Sequence, residues 1–152
     1  EGNDIALLTS GICTEESLNV TNQLREKGIT IQHLHITTLK PFGDSLIEDA
    51  LTKVKYGIIT MENHTTVGGL GTCVAELIAK KGLPKKLIKI AINDTYLHGA
   101  SRDYLMNEYK INSKELILAV EKLVKYKLDL IMNDNINFRK KGFISEAQPE
   151  AL

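Results

Sequence analysis

The sequence predicts an α/β fold, a three-layer α/β/α sandwich built around a mostly parallel sheet. Three observations predict it. Four short β-rich runs, Ile5–Thr9, Ile29–Ile36, Tyr56–Met61 and Leu87–Ile92, alternate with amphipathic helical patterns. Three of these runs are almost continuously apolar, which suits strands covered on both faces. The connections are short, and strand–helix–strand alternation with short links builds parallel sheets through right-handed crossovers.

The helices have readable ends. After the first strand, Thr14 reads as an N-cap, with Glu15 and Glu16 in the first turn where the helix dipole favours negative charge. Gly28 stands where a left-handed C-cap belongs. Asp44 or Ser45 is expected to cap the second helix, and Ser45 with Glu48 has capping-box spacing. That helix should bury Leu46, Ile47, Ala50, Leu51 and Val54. The third is expected from about Thr72 to Lys81, stopping at Gly82 with Pro84 just beyond. Ser101 and Ser113 are read as caps of two further helices, the second burying Leu116, Ile117, Val120, Leu123 and Val124. Residues 1–126 are taken as one domain. From Lys127 the pattern decays into a polar stretch, and 127–152 is read as an extension, mobile or dependent on a partner.

Composition removes several function classes. A chain of 152 residues, 43% apolar and 25% charged, suits one soluble domain with one good core. Its 19 basic and 19 acidic residues create no basic field for nucleic acid. No apolar run approaches the ~20 residues of a membrane span, and no secretory pattern opens the chain. Cys13 and Cys73 fit no metal spacing and read as free thiols of a cytoplasmic protein.

The chemistry-bearing stretch runs from Thr60 to Thr72: Thr-Met-Glu-Asn-His-Thr-Thr-Val-Gly-Gly-Leu-Gly-Thr. It leaves a strand, passes Gly68, Gly69 and Gly71, and enters a helix whose first N–H groups are free for a ligand or another chain. Glu62 and His64 could serve as an acid–base pair, or as a hydrogen-bonded pair that shapes the turn. The second reading is preferred, because no nucleophile at a strained elbow stands beside them. Gly69-Leu70-Gly71 lacks the third glycine of a dinucleotide fingerprint, Asp94 lies at the wrong offset for its ribose acid, and no Walker loop occurs. His33 and His35 share one face of a strand with no third metal ligand, so surface or interface histidines are read there. His98, in a loop near Asp94 and Arg102, is read as a capping or interface residue.

Taken whole, the Glu62–Thr72 string resembles the strand–turn–helix signature of the C-terminal domain of transketolases and related thiamine-diphosphate enzymes. Asp4-Ile5-Ala6-Leu7-Leu8-Thr9-Ser10-Gly11, Leu39-Lys40-Pro41-Phe42-Gly43-Asp44, and Ile92-Asn93-Asp94-Thr95-Tyr96 followed by Gly99-Ala100-Ser101 fall in the family's order. The resemblance spans roughly Asp4 to Val124. It implies a sheet of four to five strands, in the order 2-1-3-4 for the strands present, with Ile29–Ile36 on an edge. The family domain opens with a further antiparallel edge strand for which Glu1 leaves no room, so a fragment or a partner-completed subunit is expected.

In that order the switch point lies between the first and third strands. It would bring Ser10, Gly11 and Thr14 beside Glu62, His64, Gly68, Gly69 and Gly71, as a cleft for an anion or as a subunit contact. The contact is the preferred reading, because the resemblance implies a domain used for dimer contacts, with no catalytic, cofactor-binding or metal residues of its own. Thiamine diphosphate and Mg²⁺ belong to the implied parent enzyme, held through a Gly-Asp-Gly segment and a downstream Asn. Here only Gly43-Asp44-Ser45 is present. The resemblance thus implies part of a homodimeric ketol transferase of the pentose phosphate pathway, joined to its remaining domains or to a partner subunit. Two alternatives stand beside it: the end domain of a deoxyxylulose-phosphate synthase or 2-oxoacid dehydrogenase β chain, and a free-standing flavodoxin-like binding or interaction module.

Overall fold

The computed structural model describes residues 2–130. Four parallel strands, β1 (Ile5–Thr9), β2 (Ile31–His35), β3 (Gly57–Thr65) and β4 (Leu87–Ile92), lie in the order β2-β1-β3-β4. This is the order the resemblance implied. Ile5 stands opposite Ile31 on one side and Gly57 on the other, so β1 is central and β2 and β4 are the edges.

The alternation of side chains along β1 explains why both faces are apolar. Ile5 and Leu7 enter a core with helices α1 (Cys13–Glu26) and α5 (Ser113–Val124). Ala6 and Leu8 enter a second core with α2 (Ser45–Lys53) and α3 (Leu70–Lys81). β3 divides likewise, with Ile59 and Met61 on the first side and Ile58 on the second. A short helix, α4 (Arg102–Glu108), adds Met106 to the first core. Three layers result, and each fully buried Leu or Ile contributes ~2 kcal/mol of transfer free energy.

Several helix ends differ from the sequence expectation. Helix α1 begins at Cys13, and its N-cap position, Ile12, has no side-chain cap bond. Thr14 lies inside the first turn, its hydroxyl turned to Thr9 and His35. In α2 the cap is Asp44, whose Oδ1 accepts from the Ile47 N–H at 3.0 Å. Glu48, released from a capping box, pairs with Lys81 at 2.8 Å instead. Leu46 is 64% exposed, because the inward stripe is Ile47, Ala50, Leu51 and Val54, a 3.6-residue period that leaves its neighbour outside.

Helix α3 starts two residues early, at Leu70. Ser101 does cap α4, accepting from Tyr104 N–H at 3.4 Å. Asn112, not Ser113, caps α5 by accepting from Glu115 N–H at 3.1 Å. Ser113 is instead held by Glu16, whose Oε1 accepts from its N–H at 2.8 Å and its hydroxyl at 2.6 Å. A first-turn carboxylate of α1 thereby fastens the start of α5.

At the other end of α5, the Leu128 N–H donates to Glu121 Oε1 at 2.7 Å, and Leu128 and Leu130 pack on the first core. Residues 131–152, most of the expected extension, lie outside the described residues. No described helix is long and apolar enough to cross a membrane. Replacing Asp44 by Ala should cost about 1 kcal/mol, the usual worth of an N-cap. A urea midpoint that falls with an unchanged slope checks it, and S45A should leave stability within ~0.5 kcal/mol.

Candidate functional site

β3 carries the site residues out of the core. Thr60, Met61 and Glu62 are buried, while His64 is exposed. The register against β4 runs from Met61 opposite Ile90 to Thr65 opposite Ile92, so two extra residues of β3 are looped out between these pairs. Such a bulge re-aims side chains. Here it turns Glu62, 2% exposed, beneath the start of α3. Its Oε2 accepts from Leu70 N–H at 2.6 Å and its Oε1 from Gly71 N–H at 2.7 Å.

This geometry decides what the glycine turn can do. Free N–H groups and the positive end of the dipole make a helix N-terminus attractive to anions. At α3 that place is taken by the chain's own carboxylate. A phosphate arriving there would meet a like charge with the first donors already used. Gly69 is required by the close approach: a Cβ on it would lie 2.1 Å from Glu62 Oε2 and 2.9 Å from His64 Nδ1. The turn is also closed on itself. Gly68 N–H donates to Thr72 Oγ1 at 3.0 Å, and Lys89 Nζ donates to Thr66 O at 3.2 Å.

Glu62 and His64 do not bond to one another. The carboxylate serves the two backbone donors, and His64 Nδ1 pairs with Thr65 O at 3.3 Å. Both side chains lie against Gly69, yet each answers a different backbone partner, and the pair read from spacing alone gives way to a helix cap and an exposed ring.

The β1–α1 turn meets the same end of the sheet. Ser10 N–H donates to Met61 O at 3.2 Å. Gly11 has φ +56°, and a Cβ there would lie 2.8 Å from Asn63 Oδ1. The structure thus brings Ser10 and Gly11 against the Glu62–His64 stretch, as the strand order requires. Thr14 goes elsewhere. Its Oγ1 bonds Thr9 Oγ1 at 2.8 Å and His35 Nδ1 at 2.6 Å, and Thr9 Oγ1 bonds His33 Nε2 at 2.8 Å. Burial, and then the neighbouring His35, hold His33 below the usual imidazole range. Asn63 and Thr9 were not singled out by sequence. A polar residue closing an apolar strand is the signal that points to Thr9.

Neither thiol is poised as a nucleophile. Burial, reinforced by Glu16 and Glu62, pushes Cys13 up to about 12. Burial likewise raises Cys73, and both are free. His98 stacks edge-on against Tyr104 at 5.7 Å, while Arg102 pairs with Glu15 at 3.5 Å. Among the described residues no three His, Cys, Asp or Glu side chains converge as a metal site. A shallow groove of about 330 Å³, lined by Leu118, Glu121, Lys122, Lys125, Tyr126 and Lys127, lies at the C-terminal end of α5. That end is the opposite one, where Leu123 meets Gly57 at the start of β3.

Comparison with known proteins gives one answer. The family model for the transketolase C-terminal domain matches residues 1–116. A protein of Methanocaldococcus jannaschii described as a transketolase C-terminal section is 34% identical over 116 residues, covering 76% of this chain and 35% of that protein. A 6-deoxy-6-sulfo-D-fructose transketolase subunit of a Clostridium species is 28% identical over 127 residues, covering 84% and 39%. The 1-deoxy-D-xylulose-5-phosphate synthase of Natranaerobius thermophilus is 32% identical over 118 residues, covering 77% and 18%. Among solved structures, a split-gene transketolase in the form of an inactive β4 tetramer superposes with a TM-score of 0.74 at 26% identity. That match covers 84% of this chain and 41% of the other. The chain therefore spans at most about two fifths of the length of these relatives.

Proposed function

Because this chain belongs to the family of transketolase C-terminal domains, we propose that it is the scaffold and subunit-contact section of a transketolase. The parent enzyme moves a two-carbon ketol unit between sugar phosphates in the cytoplasm, with thiamine diphosphate and Mg²⁺ held by its other domains or by a partner subunit. The observation that carries this reading is the Glu62 carboxylate on the first N–H groups of α3. It converts a phosphate cradle into an internal brace.

The residues present do not fit the cofactor. Asp44, of the single Gly-Asp pair, spends Oδ1 on the Ile47 N–H. At the glycine turn a diphosphate would face Glu62 rather than open donors. No step of ketol transfer is therefore assigned to this chain.

The partner is a second copy, as a homodimer, or the companion section of the enzyme. Two relatives support the companion: the Clostridium protein is described as a transketolase subunit and the solved neighbour as the product of a split gene. The 32% identity to the Natranaerobius enzyme supports a second reading, the end section of a deoxyxylulose-phosphate synthase.

The test pairs native mass measurement with calorimetry. The chain alone should self-associate or bind its companion section, and should give no heat with thiamine diphosphate and Mg²⁺. Micromolar cofactor binding by the chain alone overturns the proposal. A monomer that binds a flavin or nucleotide tightly favours the free-standing module. The reaction restored on adding the companion section separates ketol transfer from deoxyxylulose-phosphate synthesis.

A further inference from the structure

Four side chains at the C-terminal end of β1 and β2 form one continuous hydrogen-bonded row: His33 Nε2, Thr9 Oγ1, Thr14 Oγ1 and His35 Nδ1, at 2.8, 2.8 and 2.6 Å. Thr9 is fully buried, while His35 is exposed to solvent. The row joins the edge strand β2 to the first turn of α1, through the last residue of β1.

Counting protons constrains this row. It contains three hydrogen bonds, and the two hydroxyls supply two hydrogens. The third must come from an imidazole. If His33 Nε2–H donates to Thr9, Thr9 donates to Thr14, and Thr14 donates to His35 Nδ1. His35 then carries its own hydrogen on Nε2. If His35 Nδ1–H donates instead, every bond reverses, and His33 carries its hydrogen on Nδ1. Both neutral arrangements place the same tautomer on the two rings. One added proton, on either ring, still allows three bonds. With two added protons both rings donate inward and three bonds remain possible, but one threonine hydrogen loses its acceptor within the row and two positive rings stand at its ends.

We propose that His33, Thr9, Thr14 and His35 form a one-proton relay that latches the edge strand β2 to the start of α1, holding with zero or one added proton and loosening with two.

The surroundings leave the relay to its own charges. β1 contributes no titratable side chain between Ile5 and Thr9, and β2 contributes the two rings themselves. The ionisable groups in the first turn of α1 are engaged or inert. Glu15 faces Arg102, Glu16 holds Ser113, and Cys13 is a buried thiol pushed far up. Because His33 is held below the usual imidazole range, its contribution to stability is complete above about pH 6.5 and is lost as pH falls through its lowered value.

The test is ¹⁵N NMR of the imidazoles in the full chain, with amide exchange of β2 measured in parallel. Above neutrality both rings should report the same tautomer. T14V should uncouple them and speed exchange of the β2 amides roughly five- to tenfold, because of the two hydrogen bonds lost with the hydroxyl only the one to His35 reaches β2. T14S should restore both properties, which a merely steric role for Thr14 would not require. Opposite tautomers on the two rings, or a T14V variant with unchanged tautomers and exchange, would overturn the relay. T9S serves if T14V fails to fold, and it should keep the coupling.

Discussion

Replacing Glu62 by Ala should lower the stability of this domain by about 4 kcal/mol. Two buried backbone donors lose charge-assisted partners at 2.6 and 2.7 Å. Each such bond is worth ~1.5–3 kcal/mol, and an orphaned buried N–H adds its own desolvation penalty. The loss also strips a negative charge from the positive end of α3. Small domains hold only ~5–15 kcal/mol in reserve, so one carboxylate secures a large share of it. A thermal midpoint lower by about 10 °C is the expected reading. E62Q should recover only part of the loss, because one of its two terminal atoms is a donor facing another donor. If E62A stays within ~1 kcal/mol of the parent, the brace is not what holds the turn.

The second large effect is at Gly69. Its φ of −94° and ψ of −159° suit any residue, so G69A meets no backbone strain. The cost is steric, from a methyl 2.1 Å from a carboxylate oxygen that is itself buried. Alanine must displace Glu62 and lose both of its bonds, and a cost of about 3 kcal/mol is expected. The mechanism gives a sharper result in combination. With Glu62 already alanine, the added methyl finds space, and G69A/E62A should cost little more than E62A alone. A coupling of about 2–3 kcal/mol in a double-mutant cycle is the signature. Strictly additive losses would show that Gly69 matters for some other reason.

Much of the fold was legible because its signals are local. β1 and β4 were bounded to the residue, since apolar runs covered on both faces are written in consecutive positions. Gly28 and Gly82 ended their helices where expected, with φ of +78° and +61°. Errors gathered at helix starts. Thr14 and Ser113 have the right chemistry for caps, yet each hydroxyl was claimed by a distant partner, His35 and Glu16. β3 ran four residues past its apolar core because a bulge let polar residues remain paired with β4.

The sequence by itself determined the layers, the family and the cluster of residues at one end of the sheet. It did so because periodicity, glycine punctuation and an ordered set of motifs lie within short stretches of chain. What only the tertiary structure decided is which polar group answers which. Glu62 reaches Leu70 and Gly71 across a bulged strand, Glu16 fastens Ser113 from 97 residues away, and two histidines on an edge strand find two threonines on other elements. The physical reason is common to all three. A buried donor or acceptor must be satisfied by whatever the packed elements bring within about 3 Å, and that neighbour is chosen by topology rather than by spacing along the chain. The glycine turn was visible as a place to hold an anion, and the fold shows that the anion is its own.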